Sequence, residues 1–130
     1  MVAAEVPVWV PTVAAPAPAA PKPTVEDADW VDLEVEGEGD HVLVKVVGPL
    51  LRVRLFWLWI GNLGDGEVRV GLRWSGKGNV WWNAVIPYLG NVVFNPPKPR
   101  VGSPGESLVL RVVGANVRLS VSMLVLLEAV

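Results

Sequence analysis

From residue 30 to residue 127 apolar side chains recur at every second position, in runs separated by glycine- and proline-rich breaks. That period belongs to a strand with one face in a core and the other in solvent. No stretch shows the three-to-four-residue recurrence of an amphipathic helix. Val31, Leu33 and Val35 alternate with Asp32, Glu34 and Glu36; a Gly-Glu-Gly-Asp turn leads to a strand over 41–47. In the run 51–60, Arg52 and Arg54 face one way, and Leu51, Val53, Leu55, Trp57 and Trp59 the other. Phe56, Leu58 and Ile60 make its second half apolar on both faces, which predicts cover by the second sheet on one side and by a subunit on the other. Residues 61–66 read as a hairpin connection in which glycine and asparagine supply positive φ. Val68, Val70, Leu72 and Trp74 then alternate with Glu67, Arg69, Gly71 and Arg73. Further strands are predicted over 80–86, 88–94, 107–113 and 117–127. A proline loop spans 95–105, and a tight turn at 114–116 joins the last two strands. About eight short strands with such turns imply an all-β fold, an antiparallel sandwich or a jelly-roll-like barrel.

The front of the chain is different. Residues 1–24 hold six prolines, and the Ala-Pro stretch 14–23 favours an extended polyproline conformation without internal hydrogen bonds. Ahead of it stand Val6, Val8, Trp9, Val10 and Val13, more apolar surface than a solvated linker requires. The expected organisation is an extended Pro/Ala-rich arm with an acidic linker over 1–29 and a β-sandwich domain over 30–130. The arm tip then contacts a neighbour, the alternative being a solvated tail. Charge divides at the same place. Residues 1–40 carry nine acids against Lys22, and residues 41–130 carry ten bases against four acids. Such halves can attract one another within a chain or between copies, the alternative being an acidic linker that stays solvated. Prolines 7, 11, 16 and 18 interrupt any signal-peptide apolar segment, and the apolar run 55–60 is too short to span a bilayer, so no membrane partner is expected.

Little in the chain carries chemistry. There is no cysteine, hence no disulfide and no thiolate metal site. The one histidine, His41, lacks an evident nucleophile to activate and reads as a surface or turn residue. Asp27, Asp29, Asp32, Glu36, Glu38 and Asp40 are hard oxygen ligands, but their spacing matches no calcium loop. They read instead as a solvated strand edge that discourages mispairing. No catalytic residue, metal or cofactor is expected. Seven tryptophans remain to be explained. Trp57, Trp59, Trp74, Trp81 and Trp82 are assigned to the core or to a subunit interface, where tryptophan and arginine are enriched. The alternative is a ligand surface made by Arg69, Arg73, Lys77 and Trp82, suited to a carbohydrate or a single-stranded nucleic acid. On that reading Trp81 and Trp82 point to opposite faces, so at most one can share a surface with the arginines. With 52% apolar residues and a mean hydropathy of +0.42, some apolar surface is expected to be covered by another chain.

The stretches GEVRVGLRWSGKGNVWWNAVIPYLG and GESLVLRVVGANVRLSVSMLVLLE, with the proline loop between them, resemble small β-sandwich virion proteins of tailed bacteriophages, of the capsid decoration (cement) type. The Val/Leu/Gly/Pro/Arg-rich usage resembles that of a thermophilic source. The resemblance implies a homo-oligomer, a trimer favoured, bound to the exterior of a major capsid protein lattice through arms that grip neighbouring subunits. It supplies no catalytic residues; the chain's own residues lead to the expectation of a protein soluble in the host cytoplasm before assembly and without a nucleic-acid partner.

Overall fold

The structure, a computed structural model, describes residues 27–130. Among them nine strands follow in order: β1 (Asp29–Glu36), β2 (Gly39–Val44), β3 (Leu51–Asn62), β4 (Val68–Trp74), β5 (Trp82–Ile86), β6 (Asn91–Phe94), β7 (Arg100–Val101), β8 (Leu108–Val113) and β9 (Arg118–Ala129). The first sheet has the order β1-β9-β3-β6, with the short β7 also paired to β3. The second has the order β2-β8-β4-β5. Every pairing is antiparallel. Two four-stranded sheets wound this way, with most consecutive strands falling in opposite sheets, make a jelly roll to which β7 is an addition. No helix among the described residues is long and apolar enough to cross a membrane.

The inward faces supply one core. Leu55, Leu58 and Ile60 of β3 and Leu119, Val121 and Met123 of β9 meet Val68 and Leu72 of β4, Ile86 of β5, and Leu108, Leu110 and Val112 of β8. Each is essentially sealed from water, so each contributes about 1.5–3 kcal/mol of transfer free energy.

Two sequence expectations fail here for definable reasons. Residues 61–66 do not close a hairpin, because β3 and β4 lie in different sheets and the segment is a corner between them. Positive φ does not make this corner; the left-handed residues are Gly37, Gly39, Gly48, Leu89, Gly105 and Asn116. The buried Asn62 side chain makes it instead. Its Nδ2 donates to the carbonyls of Gly66 (2.7 Å), Pro87 (3.1 Å) and Ile86 (3.2 Å), while its Oδ1 accepts from the Gly64 N–H (3.0 Å). Gly64 lies against the neighbouring corner at 114–116, where a Cβ would sit 2.5 Å from the Asn116 carbonyl oxygen. That second turn likewise joins strands of opposite sheets.

The other failure is in β3. Leu124 of β9 pairs with Trp57 and Val125 pairs with Leu55, which leaves Phe56 as the extra residue of a β-bulge. The bulge flips the phase of the strand. Val53 and Leu55 point inward before it, and Leu58 and Ile60 after it. Trp57 and Trp59 therefore do not share the face of Leu55; they stand on the outer face of the first sheet, in register with Leu124 and Ser122.

Candidate functional site

The arm residues Val6, Val8, Trp9, Val10 and Val13 lie outside the described residues. The remaining tryptophans divide into two groups. Trp74, 5% exposed, stacks on Trp81 with ring centres 5.5 Å apart, and Trp81 and Trp82 each pack an edge on Phe94 at 5.5 Å. Arg100 lies over the Trp81 ring at 4.5 Å, a cation–π cap on the cluster. Trp81 and Trp82 thus do not point to opposite faces. Strand β5 begins only at Trp82, so at Trp81 the chain is not yet held to strand alternation, and both rings reach the same phenylalanine. This wedge packs on the core; it offers no open aromatic platform.

The structure does not bring Arg69, Arg73, Lys77 and Trp82 together as one surface. Trp82 is in register with Leu72 on the inner face of the second sheet, while Arg69 and Arg73 alternate to its outer face. Arg73 and Lys77 are also engaged. Arg73 donates to Asp40 at 2.8 Å, Arg111 reaches the same carboxylate at 3.3 Å, and Lys77 pairs with Glu106 at 3.1 Å. The hydrogen bond from Arg73, supported by Arg111, holds the Asp40 carboxyl below its usual range. At least part of the acidic front therefore pairs with the basic body of its own chain. Glu38 accepts the Gly114 N–H at 3.1 Å, and Asp32 accepts from the Ser122 hydroxyl at 2.5 Å. His41 Nε2 lies 2.8 Å from the Gly37 carbonyl oxygen across the turn.

The outer face of the first sheet holds the other group. Trp30 of β1, Leu124 of β9 and Trp57 of β3 form one cross-strand row, and Trp30 meets Trp57 edge to face at 5.4 Å. Trp30 is 64% exposed, the most open tryptophan of the domain. Beside the row runs the proline loop, whose position follows from pairing. β6 pairs with β3 as far as Leu58, and β7 pairs at Arg54 and Leu55, so Phe56 and Trp57 face the gap between them. Pro96, Pro97 and Pro99 fill the connection with residues that have no N–H for a ladder. The result is an open cleft of about 360 Å³ lined by Trp30, Phe56, Trp57, Leu124, Asn95 and these prolines. One end of the same face is polar. Arg52 bonds Glu128 at 2.9 Å and Arg54 forks onto the same carboxylate, so the guanidinium of Arg54 first, and then that of Arg52, lowers the Glu128 pKa. Sequence reasoning missed Trp30 as a surface group and missed the cleft, because the bulge that turns Trp57 outward sits in a run apolar on both faces.

The site is thus an aromatic and proline surface on a jelly roll, without a catalytic constellation, and this class of fold hosts many unrelated functions. No protein-family model matches the sequence, and no curated protein matches it. Solved structures of the same fold do. A chain from a structure described as "Bacillus endospore appendages form a novel family of disulfide-linked pili" superposes over 79% of this chain and 87% of its own, with TM-score 0.52 and 11% identity. A chain described as "Crystal structure of PirA" covers 73% of this chain and 92% of its own, with TM-score 0.51 and 16% identity. A looser superposition, TM-score 0.46 and 14% identity, covers 90% of this chain and 92% of one from the virus-like particle of the giant freshwater prawn Macrobrachium rosenbergii extra small virus. At these identities the likeness to the first two is one of fold.

Proposed function

We propose that this chain is a structural, non-enzymatic subunit of a larger assembly: a decoration (cement) protein that binds the exterior of a virion shell as a homo-oligomer, a trimer favoured, with its N-terminal arm on a neighbour. The observation that carries the reading is the outer-face row Trp30–Leu124–Trp57 with its proline rim, in which Trp30 is exposed, Trp57 half-buried and Leu124 buried between them, an apolar surface of the composition found at the centre of protein interfaces. The chain similar in fold from the spore appendage is described as belonging to disulfide-linked pili. This chain has no cysteine, so no disulfide links its copies, and the reading rests on non-covalent contact. Several weak arm contacts per oligomer then add through effective concentration, and preferential binding to the assembled shell stabilises it by mass action. A carbohydrate or nucleic-acid module built on Arg69, Arg73, Lys77 and Trp82 has no comparable support, since the sheet separates Trp82 from Arg69 and Arg73.

The test is the solution mass of the full-length protein by light scattering after size exclusion, repeated after removal of residues 1–24. A closed oligomer that weakens on truncation is expected. A monomer whose tryptophan fluorescence responds to glycans or oligonucleotides would move the protein to the binding-module class.

A further inference from the structure

We infer that the cleft between Trp30, Trp57 and the proline loop is the receptor for the N-terminal arm of a second copy of this chain, its occupant being the segment 6–13. The inference rests on the assembly reading above and names the surfaces that make the contact. The lining selects the ligand class first. Aromatics, prolines and Leu124 form the cleft and Asn95 is its one polar residue, so it offers a sugar few hydrogen-bond partners to fix its orientation. A proline-containing extended peptide suits such a surface: it arrives pre-stiffened, with little conformational entropy to lose, and lays apolar side chains and pyrrolidine rings on aromatic walls. Residues 6–13 read Val-Pro-Val-Trp-Val-Pro-Thr-Val, apolar, uncharged and with two prolines flanking Trp9.

The spacer then selects the copy. Trp30, one wall of the cleft, stands three residues beyond Asp27, so the arm leaves the domain beside its own receptor. Between residues 13 and 27 lie fourteen steps, which at about 3.1 Å each in polyproline form reach roughly 40 Å. A domain of this size has a radius of gyration of about 13 Å, a diameter of roughly 33 Å. A spacer of that reach, with four prolines between residues 16 and 23 to stiffen it, is long enough to take the tip across one neighbouring domain.

The test uses full-length chains and their lack of native cysteine. A Val8→Cys chain mixed with a Pro97→Cys chain under mild oxidation should give a disulfide-linked heterodimer. Val8→Cys mixed with Val113→Cys, an exposed position on the other sheet, should not. In parallel, Trp9→Ala and Trp30→Ala should each raise the concentration at half-dissociation by about tenfold or more. Mixing the two variants should restore part of the association, because one good arm still meets one good cleft, a result that docking within a chain cannot give. Trp30 is exposed and loses only its edge-to-face contact with Trp57, so a dilute Trp30→Ala sample should still melt cooperatively, within roughly 10 °C of the wild type. Wild-type association that Trp30→Ala leaves unchanged would overturn the cleft assignment while leaving the assembly reading in place. A wild type that remains monomeric at every concentration would overturn both.

Discussion

Asn62 offers the sharpest handle on why the two sheets meet as they do. It is 1% exposed, and its side-chain amide serves the backbone at four points: the carbonyls of Gly66, Ile86 and Pro87, and the N–H of Gly64. Asn62→Ala removes all four bonds and strands at least the Gly64 N–H, a buried donor. At about 1–3 kcal/mol for each polar group left unsatisfied, and with some carbonyls able to turn to water, the loss should be about 2–4 kcal/mol. For a domain of this size that is a fall in Tm on the order of 10–25 °C. Asn62→Asp is nearly isosteric and keeps the acceptor for Gly64, yet it turns a carboxylate oxygen toward three carbonyl oxygens. The aspartate must lose that interaction or take up a proton, so its folded pKa rises above the ordinary value. The folded state then binds more protons than the unfolded state, and stability increases as pH falls. Urea unfolding followed by tryptophan fluorescence at pH 7 and pH 5, at one protein concentration, separates the cases. Asn62→Asp should be no more stable than Asn62→Ala at pH 7 and should gain on it at pH 5. An alanine variant within about 0.5 kcal/mol of wild type, or an aspartate variant more stable than alanine and indifferent to pH, would refute the argument that this amide holds the corner.

Two further outcomes follow from the same structure. Gly64→Ala should destabilise by about 1–3 kcal/mol in thermal melts, because its Cβ meets the backbone carbonyl of Asn116, which cannot rotate away as a side chain would. Glu128→Gln should cost about 1–3 kcal/mol at neutral pH by leaving Arg52 and Arg54 without their carboxylate. Because the folded pKa of Glu128 is depressed, the pair's contribution is complete above the ordinary value of 4.5 and is lost as pH falls through the lower folded value; the glutamine variant should therefore lose less stability on acidification than wild type does.

Strand positions were the legible part of this fold. Alternation at Val68, Val70, Leu72 and Trp74 marks β4, and Val31, Leu33 and Val35 mark the inner face of β1, because one side of each strand is polar. Which strands pair was not legible. A glycine-rich break such as 61–66 looks the same whether it closes a hairpin or turns a corner between sheets; only the burial of Asn62 distinguishes them, and burial is a property of the assembled molecule. The bulge at Phe56 was hidden for a related reason. Arg52 and Arg54 report the outward phase in the first half of β3, whereas Phe56, Trp57, Leu58 and Trp59 are all apolar and report none. The partner strand gives no sign of it either, since Leu119, Val121, Met123 and Val125 alternate inward without a break while Leu124 lies outward beside Trp57.

The place of β9 in the first sheet sets the timing of the chain's folding. β9 lies between β1 and β3 and pairs with both, so two strands formed early in the sequence have no common partner until the last one arrives. During synthesis the outward rows of Trp30 and Trp57 and the inward rows of Leu55 and Leu58 stay exposed together. Closure then requires contacts between segments separated by nearly the whole domain, which makes for slow folding. Asp32, Glu34 and Glu36 put like charges along the unpaired edge of β1, which disfavours its pairing with the same strand of another copy while β9 is absent.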